Sequence, residues 1–202
     1  MLSSPVFQFV PPSNIAKLFT TFEEVSMTAG DAVITQGETG NYFYVIQSGT
    51  AKVEQEIGGI NQVLANFGVE ASFGEGALIS EVPRNATVTM TSPGILMRLS
   101  KENFDKLLQA PVMDQLEMGD ADSMMADADV KTMFLDVRNP EEYQGANIPN
   151  CLNIPLLQLR DRLNELDLDT TYITRCDGGK RSALAAFILN SKGIGAYVLR
   201  ED

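Results

Sequence analysis

The 202-residue sequence contains no histidine. That absence excludes Ser-His-Asp and Cys-His catalysis, histidine metal sites and histidine pH switches. Cysteine is almost as scarce: Cys151 and Cys176 are the two in the chain. Two scattered cysteines make neither a disulfide framework nor a zinc site, so no metal is expected. They read as reduced thiols in a cytoplasmic protein. No apolar run approaches the roughly 20 residues that span a bilayer. The stretch Met1-Leu2-Ser3-Ser4-Pro5-Val6-Phe7 lacks the basic and apolar regions of a secretory signal. Basic charge is short as well, with 15 Lys and Arg against 27 Asp and Glu and a net charge of −12. No basic face or recognition helix emerges. Neither nucleic acid nor membrane is therefore expected as a partner. No internal repeat is visible.

What is there begins with core-forming residues. At 44% hydrophobic the chain can build one large domain or two small ones. Residues 11–20 read as a short helix opened by prolines. From about 21 to 100 short alternating runs such as Phe43-Tyr44-Val45-Ile46 and Thr87-Val88-Thr89-Met90 sit between glycine turns. Many short strands with regular turns imply a mostly-β jelly-roll barrel with flanking helices. Ser100 reads as the N-cap of a helix through about Leu108. Residues 114–130 carry six acidic and no basic side chains, so 111–130 is expected as an acidic helical connector. After 131 the rhythm becomes β-loop-α. Met133-Phe134-Leu135-Asp136-Val137 is a buried strand, with a helix near Leu156–Leu166. A second strand then leads to Cys176, and the helix after it ends at Gly193. Alternation of this kind argues for a small parallel sheet. The fold class is a two-domain α+β chain, divided as 1–110, 111–130 and 131–202.

Two segments carry chemistry. Cys176-Asp177-Gly178-Gly179-Lys180-Arg181-Ser182 puts a thiol after a strand, under the amides of a tight loop and at the start of a helix. Both features favour thiolate and bind anions. Arg181 follows Cys176 after four residues. This Cys-x4-Arg ring is small for a phosphate and suits one extra sulfur on the cysteine, which argues against a phosphatase or arsenate reductase. In the second segment, Gly74-Glu75-Gly76-Ala77 leads from a turn into a short helix, followed by Arg84-Asn85-Ala86 and a strand. The helix start and Arg84 converge on one anion. Glu75 beside an anion makes sense as an acceptor from hydroxyls, as of a ribose, and phosphate plus ribose means a nucleotide.

Cys176-x-x-Gly179-x-Arg181-Ser182 resembles the active-site loop of the rhodanese family of sulfurtransferases. Leu135-Asp136-Val137-Arg138-Asn139-Pro140-Glu141-Glu142-Tyr143 matches that family's opening strand and turn, and Ile148-Pro149 with Asn153-Ile154-Pro155-Leu156 matches the run after it. The resemblance implies that Cys176 carries a persulfide. Amides from Asp177 through Gly178 and Gly179 to Ser182 would steady it, and Lys180 and Arg181 would select an anionic donor. Asp136 and Arg138 are expected in a structural ion pair with Glu142. Cys151, where the family has a small buried residue, reads as an inert core thiol. The family continues through glycines into a last helix, so the final element is expected to be missing or short.

Gly74 to Ala86 is similar to the phosphate-binding cassette of cyclic-nucleotide-binding domains. Gly37-x-x-Gly40-Asn41-x-x-Tyr44-x-Ile46-x-x-Gly49 matches that family's barrel signature, with Asn41 where Asp is usual. By this resemblance Arg84 holds the cyclic phosphate and Glu75 the ribose 2′-OH. Gly74, Gly76, Ala77 and Ala86 allow close backbone approach, and Asn85 leaves the base open between cAMP and cGMP. A lid is expected among Leu107, Leu108, Val112, Met113 and Leu116. The combined expectation is a cyclic-nucleotide-regulated sulfurtransferase that needs no cofactor for its chemistry. Its partners would be a small sulfur donor, a thiophilic acceptor and cAMP or cGMP, with a homodimer left open. The alternative is a non-catalytic nucleotide-sensing module whose second domain binds a partner or senses redox state.

Overall fold

The structure, a computed structural model, describes residues 7, 10–144 and 149–200. Ala146, Asn147 and Ile148 of the motif run, and the chain end at Glu201 and Asp202, lie outside the described residues. Two compact units divide between Leu108 and Gln109. Among the described residues no helix is long and apolar enough to cross a membrane.

In the first unit α1 (Pro12–Thr21) starts with a proline whose fixed φ suits the first helical position, and it buries Leu18. Two antiparallel sheets follow. One has the order β1 (Glu23–Met27), β8 (Gly94–Ser100), β3 (Tyr42–Ser48), β6 (Ser72–Phe73). The other runs β2 (Ala32–Ile34), β7 (Thr87–Met90), β4 (Ala51–Ile57), β5 (Ile60–Phe67). Their inward alternate positions, including Ile46, Val88, Met90 and Leu96, form one buried cluster. Each such aliphatic side chain contributes about 1.5–3 kcal/mol on burial. The helix α2 (Glu75–Ser80) stands between β6 and β7. After β8, Ser100 takes the extended N-cap position of α3 (Lys101–Phe104), and a π-helical turn covers Asp105–Gln109. Phe104 packs on Phe43 with ring centroids 5.1 Å apart, and Leu108 is fully buried.

The second unit is a five-stranded parallel sheet. Its order is β11 (Cys151–Asn153), β10 (Thr132–Asp136), β12 (Thr171–Arg175), β13 (Ala196–Leu199), β9 (Gln115–Leu116). Before β9 lies a single turn, α4 (Ala110–Val112). Strand residues alternate between two apolar clusters. Leu135, Val137, Tyr172 and Val198 join Ala185, Ile188 and Leu189 of α8 (Lys180–Asn190). Phe134, Ile173 and Leu199 join Leu116, Ala121 and Met125. The last two come from α5 (Met118–Ala126). The segment expected as a connector thus supplies an edge strand and a covering helix to this unit. Its two-residue parallel strand pairs with β13 more than 80 positions away, and so short a strand leaves no alternation to read. Leu116, expected in a lid, belongs to this sheet. The helix expected near Leu156–Leu166 is broken into α7 (Leu156–Leu159) and a 3-10 turn at Leu163–Glu165. Gly193 has a φ of 80° in the turn after α8.

Candidate functional sites

In the first unit Arg84 is 7% exposed and its guanidinium clasps two backbone carbonyls. It donates to Gly74 and, at 2.7 Å, to Tyr42. Its own backbone is fixed to the preceding turn, donating to the Glu38 carbonyl and accepting from Gly37, both at 2.8 Å. With side chain and backbone together, Arg84 therefore ties β3, the start of α2 and the turn at Gly37 and Glu38 to one another. Gly74 makes this possible. Its φ of +97° suits glycine, and a Cβ there would lie 3.1 Å from the guanidinium. Gly40 is as restricted, since a Cβ would come within 2.8 Å of Ala77 Cβ.

Burial pushes the Arg84 guanidinium down from its ordinary value, while Tyr44, Glu75 and Glu38 pull the other way. Glu75, the first residue of α2, is 6% exposed. The structure thus brings Gly74, Glu75, Gly76, Ala77 and Arg84 into one cluster. Ala86 is buried in the barrel core. Asn85 is exposed, and its carbonyl accepts from the Gln55 side chain at 2.9 Å. Sequence reasoning missed the two carbonyl partners of Arg84, because main-chain acceptors carry no residue signature.

In the second unit Cys176 ends the run from β12 and is 1% exposed. Gly178 and Gly179 follow in left-handed conformation, with φ of 75° and 74°, and Gly179 is the N-cap of α8. The first amides of a helix have no partner within it. The sulfur meets that need: the Ser182 amide donates to Cys176 Sγ at 3.1 Å. The Ser182 hydroxyl donates to the Gly179 carbonyl at 2.9 Å and accepts from the thiol at 3.3 Å. Of the amides expected on the sulfur, that of Ser182 reaches it, whereas the Lys180 amide turns to the Gly178 carbonyl. Thr174 supports the helix start, its buried hydroxyl lying 3.0 Å from the Ser182 carbonyl.

Charged side chains brace the loop in a pairing that differs from the expected one. Arg138 Nε lies 3.0 Å from both Asp136 oxygens and Nη2 2.7 Å from one of them. Its Nη1 donates to Asp177 at 3.1 Å. Glu142 pairs instead with Arg181, at 2.8 and 2.9 Å. The reason is local. Asp136 sits fully buried at the strand end and needs the nearest cation, which leaves Glu142 in the α6 turn (Pro140–Tyr143) facing Arg181. Asn153 was named from sequence as part of a motif run and given no role of its own, yet its side-chain amide holds the Asp136 and Arg138 carbonyls at 3.0 and 2.9 Å. Cys151 is half-buried beside Phe134 and Ile173, and burial pushes its thiol up. Among the described residues no group of three Cys, Asp or Glu side chains is placed to hold a metal ion.

Arg181, with help from the Asn139 amide, holds the Glu142 carboxyl well below the usual carboxylate range, at about 2. A carboxyl depressed in the fold stabilises it fully above its unfolded value of 4.5, and the contribution fades as pH falls toward about 2. In urea unfolding, Glu142→Gln is expected to be less stable than the parent above pH 5. The gap should close as pH drops to 2. The two side chains are 31% and 34% exposed, so solvent screens the pair and the effect is modest. A gap that stays constant with pH would exclude the ion pair as its source.

Residues 24–110 match the family model of the cyclic nucleotide-binding domain, and residues 117–201 match that of the rhodanese-like domain. The chain thus carries a cyclic nucleotide-binding domain followed by a rhodanese-like domain. Among curated proteins it is 42% identical over 91 residues to the cAMP-dependent protein kinase regulatory subunit of Yarrowia lipolytica, covering 45% of this chain and 24% of that one. It is 32% identical over 141 residues to the cGMP-dependent protein kinase egl-4 of Caenorhabditis elegans, covering 67% and 16%. It spans about a quarter or less of these relatives' length. The solved regulatory domain of Toxoplasma gondii PKA with cAMP is similar with a TM-score of 0.52 and 28% identity, over 54% of this chain and 42% of that one.

Proposed function

We propose that this chain is a cyclic-nucleotide-regulated sulfurtransferase working through a persulfide on Cys176. The observation that carries the reading is the Ser182 amide on Cys176 Sγ at the N-terminus of an eleven-residue helix. There the helix dipole and a fixed donor both favour negative charge on sulfur. With thiosulfate as donor, the Cys176 thiolate attacks the sulfane sulfur. A new S–S bond forms, the old one breaks, and sulfite leaves with the bonding pair. A thiophile such as cyanide then attacks the outer sulfur. The pair of the breaking S–S bond returns to Cys176 and thiocyanate leaves, so no external oxidant or reductant is needed. The Ser182 hydroxyl accepts from the thiol and turns to donate once the proton is gone. Lys180 and Arg181 favour an anionic donor, for which Arg181 trades its bond to Glu142.

In the first domain the guanidinium has five N–H donors, of which Gly74 and Tyr42 take two. The others, with the first amides of α2, would hold a cyclic phosphate while Glu75 accepts from the ribose. Names of the relatives that mention cAMP and cGMP support a cyclic nucleotide without choosing the base. A second reading, a sensing module without catalysis, draws on the burial of Cys176 and the closed Arg181–Glu142 pair. A thiosulfate:cyanide assay with and without saturating cAMP or cGMP tests the first reading. Regulation is expected to change the rate severalfold. An active but unresponsive chain would remove coupling, and an inactive chain that binds nucleotide without forming a persulfide would establish the second reading.

A further inference from the structure

Strand β5 forms one edge of its sheet, beside β4. Edges of this kind are ordinarily blunted by charge or proline. Residues 60–69 contain neither, in a chain of net charge −12. Ile60, Val63 and Leu64 are 73%, 54% and 48% exposed.

Ala65 pairs with Val53 and Phe67 with Ala51, so both share the inward face and pack on the barrel core. A bulge falls between Val53 and Glu54, where Val63 pairs with Glu54 and Leu64 is the extra residue. Because the bulge resets the alternation, Ile60 and Gln62 lie on the same face as Ala65 and Phe67. Asn61, Val63 and Asn66 lie on the other. An antiparallel copy of the strand, with Val63 on the two-fold axis, then pairs residues of the same face. Ile60 meets Phe67, Asn61 meets Asn66, Gln62 meets Ala65, and Val63 meets Val63. Every pair falls on a common face, as strand pairing requires. Placed one residue later without the bulge, the same sequence would set inward residues against outward ones.

We propose that β5 is a self-pairing edge, through which two copies of this chain join their β2-β7-β4-β5 sheets into one eight-stranded antiparallel sheet. The exposed Ile60 of each copy is covered by the Phe67 of the other, which extends the barrel core across the junction. The uncharged strand lets two acidic molecules meet without opposing charges. The charges of β4 stand one strand back from the junction: Lys52 and Glu54 are paired with each other at 2.9 Å, and Glu56 lies opposite Asn61. The contact is isologous, so it closes at two copies.

Sedimentation equilibrium of the full chain is expected to give a dimer. Val63→Lys, at an exposed position, sets two like charges face to face on the axis and should weaken the dimer at least about tenfold. Register is read by cross-linking in a Cys151→Ser, Cys176→Ser background. Val63→Cys should form an oxidised dimer, and Gln62→Cys, whose partner is Ala65, should not. A monomer at all concentrations, a dimer indifferent to Val63→Lys, or equal cross-linking of the two cysteine variants would overturn the proposal.

Discussion

Cys176→Ser is expected to lower thiosulfate:cyanide sulfur transfer by roughly 10³-fold or more, the scale of losing a covalent nucleophile. Oxygen in place of sulfur cannot carry the sulfane atom, so the transfer has no intermediate. The fold should change little. The smaller hydroxyl meets the same Ser182 amide and hydroxyl that now contact the sulfur. The cost of a slight gap is on the order of 1 kcal/mol. Mass spectrometry after thiosulfate treatment should find one added sulfur on the parent and none on the variant. Cys151→Ser supplies the control. That thiol is half-buried in the opposite apolar cluster, and burial pushes it away from thiolate. It should therefore keep full activity. Retained transfer by Cys176→Ser would end the persulfide reading, whereas loss in both variants would point to a cysteine pair.

The same loop shows how far a sequence reading reaches. Cys176, its two glycines and the helix start were legible because each is a local device: strand end, left-handed turn and first helical amides follow one another within seven residues. The partners of the charged side chains were not. Arg138 has Asp136, Asp177 and Glu142 within reach of plausible folds. It turns most of its fork to Asp136, because that carboxylate is fully buried and cannot remain alone, reaches Asp177 with Nη1, and leaves Glu142 to Arg181. Burial is a tertiary quantity, invisible from spacing. β9 escaped for a related reason. Gln115 and Leu116 acquire strand character by pairing with Val198 and Leu199, and nothing in two residues announces a parallel partner so far along the chain. Strands β3 and β7 were readable because alternation over several residues marks them before any partner is known. The bulge in β5 left no sequence mark, although it decides which side chains face the core.

Arg84→Gln is expected to reduce cyclic-nucleotide affinity by roughly 30-fold to more than 10³-fold, since removing one side of a buried charged pairing costs about 2–5 kcal/mol. The residue also has a structural task, and the two effects separate. Losing the bonds to the Gly74 and Tyr42 carbonyls should cost about 1–3 kcal/mol of stability whether or not nucleotide is present. Glutamine can still donate one hydrogen bond into that gap, which keeps the loss toward the lower end. Nucleotide should stabilise the parent in proportion to the logarithm of its concentration, and the variant should need a concentration higher by the lost affinity to gain the same stabilisation. Arg84→Lys sharpens the distinction. It keeps the charge but loses the fork that reaches two carbonyls and a phosphate at once. It should fall between parent and Arg84→Gln in affinity while resembling Arg84→Gln in stability. If Arg84→Gln bound nucleotide as the parent does, the guanidinium would serve only to clasp β3 to the start of α2. The anion site would then have to rest on backbone amides alone. The burial of Arg84 beside Glu75 argues for the larger effect, because two buried opposite charges beside one short helix are costly to keep unless a ligand uses both.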